Sequence, residues 1–349
     1  MKCDSCQPKQ KGYTVIFSNV EDMEKIQYYF IKFAETEYKM INTSTIWLIE
    51  PHFFSLMDYV CKHLKIEQVY AVESDPLNPF EKIEEKQPLT FFNESRKSSW
   101  IDDVIEENRL ITYFQPIIGV HNNEPVIIGH ELLSRGMEKS GEIIPPYKLF
   151  EAARIHNRLF SLDRACRMQA VRQAASVDDV LVFINFIPTA IYVPEHCLAS
   201  TFQLINELEI QPHQIVFEVV ETDEVKDIHQ LKRILDYYRS HGFLYALDDV
   251  GSGYNDIDKL MALKPDIVKL AIEYTNGVSS NVEKQKMAKL VLKSCRQIGA
   301  KALAEGVEKE EDYVFLKKMG YDLFQGYFFS KPLPTPLQQE KLTSMLRTH

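Results

Sequence analysis

Beyond Trp100, short apolar runs alternate with longer amphipathic stretches, and this alternation restricts the fold more than any other feature of the chain. The spacing predicts strands at Ile111–Phe114, Val126–Leu133, Val180–Asn185, Ile215–Val220, Leu244–Leu247, Ile267–Leu270, Lys301–Ala304 and Leu323–Gly326. Helical patterns separate most of them, at Tyr147–Ala174, Asp227–Ser240, Glu283–Ile298 and Lys309–Met319. Strands joined by crossover helices have both faces covered, and about eight of them close into a TIM-like (β/α)8 barrel. The first two candidates are joined across Gly119–Pro125, which suits a hairpin. One strand is therefore expected to run antiparallel.

The chain has 349 residues, enough for two domains. Its first part reads as a small α/β domain over residues 1–75. Gly12–Ser18 and Ser44–Ile49 are predicted strands, and Gln68–Val72 is a candidate third. A helix is predicted after Asn19, carrying Met23, Ile26, Phe30 and Phe33, and a second carries Phe53, Met57, Val60 and Leu64. Such an order suits a regulatory or docking module. Pro76, Pro79 and Pro88 and the charged run EKIEEK mark 76–99 as a linker, leaving 100–340 for the barrel.

Forty Lys and Arg against fifty Asp and Glu give a net charge of −10, which disfavours a polymeric nucleic-acid partner and a membrane-surface role. Residues 1–12 are polar and lack a secretory pattern. The most apolar stretch, Val180 to Val193, contains Asn185 and Pro188 and falls short of the ~20 residues that span a bilayer, so no membrane insertion is expected. Six sparse cysteines point to reduced thiols and a cytoplasmic protein. Cys3 and Cys6 are open to two readings: a pair of free thiols, or half of a zinc or redox site completed by Cys61 and His63.

Polar residues recur where the predicted strands end. Glu131 ends the second, Asn185 the third, and Glu218 lies in the fourth. Asp248 and Asp249 follow the fifth, Lys269 lies in the sixth, Glu305 follows the seventh and Gln325 lies in the eighth. In a barrel these ends meet at one mouth, where catalytic groups gather. Carboxylates crowded there repel one another unless cations lie among them. Oxygen donors without a His or Cys cluster favour Mg²⁺ or Mn²⁺, and vicinal aspartates can serve two ions, as in two-metal phosphate ester hydrolysis. Lys269 should keep its proton among those anions.

The segments YFQPIIGV (113–120), ELLSR (131–135), NFIP (185–188), FEVVET (217–222), LDDVGSGY (247–254), PDIVKL (265–270), AEGVE (304–308) and QGYFFSKPL (325–333) resemble, in order and spacing, the EAL domain, the bacterial cyclic di-GMP phosphodiesterase family. The resemblance covers roughly residues 100–336. It implies hydrolysis of cyclic di-GMP to linear pGpG with two Mg²⁺ or Mn²⁺ ions, and a homodimer through the barrel. By the same resemblance Glu131, Asn185, Glu218 and Asp248 are ligands of one metal, and Asp248, Asp249 and Glu305 of the second. Arg135 and Gln115 resemble substrate contacts, Lys269 the catalytic lysine, Gln325 the glutamine near the attacking water, and Glu308 the anchor of the loop after Asp249.

The chain departs from the family pattern at Leu132, which is expected to crowd the mouth slightly, and at Val250, Ser252, Asn255, Asp256 and Ala271. These departures keep a second class in view, a catalytically weak cyclic di-GMP receptor or interaction scaffold.

Overall fold

The structure, a computed structural model, describes residues 12–30, 34, 37–95, 100–156, 158–177, 179–191, 193–219, 228–251 and 256–347. Cys3 and Cys6, and with them the zinc or redox pairing, lie outside the described residues. The chain divides into two compact units, Met1–Arg109 with Gly136–Ala165, and Leu110–Arg135 with Cys166–His349.

The first unit opens with β1 (Gly12–Phe17), α1 (Val20–Phe30), β2 (Tyr38–Asn42), β3 (Thr45–Ile49), α2 (Glu50–His63), β4 (Val69–Glu73), β5 (Gln87–Pro88), α3 (Leu89–Ser95) and α4 (Trp100–Glu106). Its sheet runs β2-β3-β1-β4-β5, antiparallel throughout. Every residue of β3 is buried, as a central strand requires. Asn19 caps α1 as its position suggests, its Oδ1 accepting the Glu21 N–H at 3.0 Å. The buried Trp47 indole donates to the Ser74 carbonyl, and Gly12 makes room for it: a Cβ there would lie 2.1 Å from the ring. Trp100, by contrast, is 41% exposed. The stretch 76–99 contains β5, paired with β4, and α3.

The remaining elements are β6 (Leu110–His121), β7 (Glu124–Met137), β8 (Ile143–Ile144), α5 (Pro146–Ile155), α6 (Leu159–Ala174), β9 (Leu181–Phe186), α7 (Pro194–Cys197), α8 (Ala199–Glu207), β10 (Ile215–Val219), α9 (Ile228–Ser240), β11 (Leu244–Val250), α10 (Asp256–Leu263), β12 (Ile267–Leu270), α11 (Ile272–Thr275), α12 (Val282–Ile298), β13 (Lys301–Ala304), α13 (Glu310–Met319), β14 (Leu323–Phe324) and α14 (Gln339–Leu346). The single helix expected over Tyr147–Ala174 is thus two. Within the first unit, Arg158, just ahead of α6, is buried between two aspartates. It meets Asp58 Oδ1 at 2.9 Å and also pairs with Asp102.

In the second unit, β6-β14-β13-β12-β11-β10-β9-β7 form a ring that the β6–β7 pairing closes. The pairs from β7 through β9 to β14 are parallel, whereas β6 is antiparallel to β14. The antiparallel strand follows from the hairpin. Asn122 and Asn123 have φ of 49° and 70°, the two left-handed residues that a type I′ turn needs and that Asn tolerates. Ile117, Phe183, Val216, Ala246, Ile267, Leu303 and Leu323 fill the barrel as one apolar layer. Because strand side chains alternate with period two, the residues two positions nearer the mouth share that interior face. Among the described residues, no helix is long and apolar enough to cross a membrane.

Candidate active site

The layer above the apolar plug is built by that period of two. Phe183 is followed by Asn185, Val216 by Glu218, Ala246 by Asp248, Ile267 by Lys269, Leu303 by Glu305 and Leu323 by Gln325. On the reversed β6 the order inverts, so Gln115 precedes Ile117. On β7 the corresponding residue is Glu131. One face of one barrel therefore carries all of these groups.

Lys269 lies at their centre, 1% exposed. Its Nζ lies 3.2 Å from Asp248 Oδ1, 3.3 Å from Glu131 Oε2 and 3.6 Å from Glu305 Oε2, and it also bonds Glu218 Oε1. Gln325 donates to Glu131 Oε2 at 2.7 Å and to Gln115 Oε1 at 3.2 Å, while Asn185 donates to Glu131 Oε1 at 2.8 Å. Burial alone would strip the Lys269 proton. The charges of Asp248, Glu131, Glu218 and Glu305 outweigh it and hold the ammonium well above its ordinary pKa. Glu218 is pushed well above the carboxylate range, first by burial and then by Glu131, against the pull of Lys269. Burial also lifts Glu305, to about 8, opposed by Lys269 and reinforced by Asp248 and Glu131.

One ammonium does not balance four carboxylates, and Glu218 Oε2 is buried with no hydrogen-bond partner. These are hard oxygen donors without a thiolate or imidazole among them, the kind that suits a hard divalent cation. Among the described residues, no three Asp, Glu, His or Cys side chains stand ready as a metal cage; the carboxylates close on Lys269 instead.

Asp249 occupies a different position. The pairing of β11 with β12 loses register between Leu247 and Val250, and Asp249 takes a left-handed φ of 58° on the exposed rim. Asp is one of the few residues that tolerate this conformation. Glu308 is exposed beyond Glu305, and residues 252–255 of the loop it is expected to anchor lie outside the described residues. Arg135 shares the inward face of β7 with Glu131, one turn of the pleat nearer the mouth than Leu133. Its guanidinium is 5.5 Å from the Tyr113 ring and donates to the Ser134 carbonyl. Leu132 is buried on the opposite face of β7 from Glu131, so it does not crowd the mouth. Val250 is 2% exposed, and Ala271 occupies the N-cap position just before α11, with no side chain to cap it.

The rim also holds Tyr113, Tyr327 and Lys331, which the sequence reading passed over although YFQP and QGYFFSKP contain them. Lys331 Nζ lies 5.5 Å from the Tyr327 ring. Their signal was an aromatic within two residues of each inward-facing glutamine.

Comparison with known proteins finds relatives of the barrel. The family described as the EAL domain matches residues 98–332. YkuI, an EAL-domain-containing protein of Bacillus subtilis, is 27% identical over 252 residues, covering 71% of this chain and 60% of its own. The cyclic di-GMP phosphodiesterase PdeB of Shewanella oneidensis is 27% identical over 252 residues, covering 70% of this chain and 29% of its own. The chain thus spans less than two thirds of either relative. Among solved structures, a standalone EAL protein of Vibrio cholerae bound to c-di-GMP is 33% identical with a TM-score of 0.60, covering 67% of this chain and 97% of that one. YkuI in complex with c-di-GMP and calcium is 25% identical with a TM-score of 0.58, covering 71% and 62%.

Proposed function

The chain belongs to the EAL-domain family, and from that premise we propose that its barrel hydrolyses cyclic di-GMP to linear pGpG. The observation that carries this reading is the buried Lys269 ringed by Glu131, Glu218, Asp248 and Glu305 at the mouth of the barrel. Opening the ring adds water across one phosphodiester. The water oxygen bonds to phosphorus, the P–O3′ bond breaks, and the 3′ oxygen leaves with a proton.

Lys269 holds its proton at Nζ, so it acts as a fixed positive charge that orients water and stabilises developing negative charge, not as a base. Gln325, its amide shared between Glu131 and Gln115, positions that water. Arg135 meets a phosphate in bidentate fashion, Gln115 contacts the dinucleotide beside it, and Glu308 fastens the loop after Asp249. Glu131, Asn185, Glu218 and Asp248 would hold one Mg²⁺ or Mn²⁺ ion, and Asp248, Asp249 and Glu305 a second. Bound there, the ions supply Lewis acidity, lowering the pKa of water and offsetting phosphate charge.

In this reading residues 1–75 regulate the barrel of 100–340 across a linker at 76–99, the barrel pairs as a homodimer, and the protein works in the cytoplasm. Incubation of the purified protein with cyclic di-GMP and Mg²⁺ or Mn²⁺, followed by chromatography for pGpG, tests the reading. Binding without product would replace it with the receptor reading.

A further inference from the structure

Asp249 and Glu305 belong to the ends of different strands, and one short helix touches the backbone just beyond both. Helix α11 (Ile272–Thr275) begins three residues after Lys269. Its Tyr274 ring lies against Gly251, two residues beyond Asp249. A Cβ on Gly251 would come within 3.0 Å of that ring and 3.3 Å of Met287 on α12. Its Ile272 side chain lies against Gly306, directly after Glu305, where a Cβ would come within 2.2 Å. The two glycines have φ of 111° and 68°, so both loops turn tightly where they meet α11. Backbone hydrogen bonds make the same connections. The Ala271 N–H donates to Val250 O at 3.1 Å, and the Glu305 N–H to Leu270 O at 3.3 Å.

A helix of four residues is not stable alone, and this one is held from its far end. Asp312, fully buried in the first turn of α13, accepts the Gly277 N–H at 2.8 Å with one oxygen and the Ser279 N–H at 2.9 Å with the other. Gln285 of α12 donates to the Val278 and Ser279 carbonyls at 2.9 and 3.2 Å. Asp249 in turn keeps its left-handed φ of 58° at the break in register, a conformation that persists where the surroundings over-determine it. Buried Val250 and the enclosed Gly251 supply that constraint from the C-terminal side. Glu131, Asn185 and Glu218 differ, since they project from the strands β7, β9 and β10 themselves. Resting on the two-ion phosphodiesterase reading, we propose that Tyr274 is a positioning residue. Together with Ile272 it braces the Asp249 and Glu305 loops against one helix, so that both carboxylates serve the same ion.

A Mn²⁺ titration followed by electron paramagnetic resonance tests this, because the free ion gives a sharp signal that the bound ion loses. Wild-type protein should take up two Mn²⁺ per chain. Tyr274→Ala should keep one at wild-type affinity and hold the second about 10- to 100-fold more weakly, the range for losing a group that holds a ligand from behind. Tyr274→Phe should restore the second ion, because the ring carbons Cδ2 and Cε2 make the contact. Tyr274→Leu should also weaken the second ion alone, and it carries the test if the alanine variant does not fold. In turnover, the Mn²⁺ concentration giving half-maximal pGpG formation should rise by the same factor in Tyr274→Ala. The KM for cyclic di-GMP at saturating Mn²⁺ should stay put. Two ions at wild-type affinity in Tyr274→Ala, or equal weakening of both, would overturn the bracing role and leave the phosphodiesterase reading standing. A wild-type protein that binds fewer than two Mn²⁺ would remove the two-ion reading and this proposal together.

Discussion

Glu305→Gln, made in protein stripped of divalent ions with EDTA, isolates one carboxyl of the ring. Glu305 is lifted from 4.5 to about 8 on folding, chiefly by burial. An acid raised on folding stabilises the fold while protonated. That contribution is complete below about pH 4.5 and is lost as pH rises through about 8. At about 1.36 kcal/mol per pH unit the lift is at most about 5 kcal/mol. The side chain is 31% exposed, so water relieves much of it, and about 1–2 kcal/mol is the working figure. For a domain of this size that is about 2–8 °C in melting temperature. Wild-type protein in EDTA should therefore lose about 2–8 °C more between pH 5 and pH 8 than Glu305→Gln, whose amide does not titrate. Lys269, raised above its ordinary value, stays charged throughout and adds nothing to the difference. Scanning calorimetry across the window reads it. Saturating Mg²⁺ should reverse the wild-type trend, because ligand carboxylates bind metal only when ionised. Equal pH slopes for the two proteins in EDTA would refute the reasoning.

Glu131→Ala should abolish pGpG formation, since it removes the carboxylate that Asn185, Gln325 and Lys269 all contact, and excess EDTA should do the same to the wild type. Full activity in EDTA would sink the metal-dependent reading. Arg158→Met should cost about 3–5 kcal/mol in urea unfolding, because it leaves the buried Asp58 and Asp102 without their guanidinium; a loss under about 1 kcal/mol would mean those charges find other relief. Val250→Phe should destabilise by about 1–3 kcal/mol, as a ring is forced into a position 2% exposed. A more stable variant would reveal unfilled space beside β11.

The barrel and its polar ring were legible because each strand from β9 to β14 repeats one rule, an apolar residue and, two positions on, a polar one, as in Ile267 and Lys269. A period of two is local, so it survives in the sequence. The edge strand β2 was not legible: no residue of Tyr38–Asn42 is buried, so the segment carries no apolar face. The pairing of Arg158 with Asp58 spans 100 residues with no periodicity to connect them. Asp249 looks like the second half of an aspartate pair, and only the backbone shows that it turns left-handed where the register breaks. Gly326 was visible as a letter within QGYFFSKPL, but its close approach to Val307, where a Cβ would lie 2.1 Å from the carbonyl oxygen, joins backbones distant in sequence.

The reversal of β6 offers a practical handle. Since β6 starts at the mouth and β7 returns to it, the Asn122–Asn123 turn lies at the closed end of the barrel, away from Lys269. A fluorophore or affinity tag grafted there would leave the entrance clear, and a labelled barrel could report ligand capture at surfaces or in single-molecule traps. Asn123→Gly is the natural first step, because glycine adopts the left-handed φ of 70° without strain and would pin the turn before anything is attached to it.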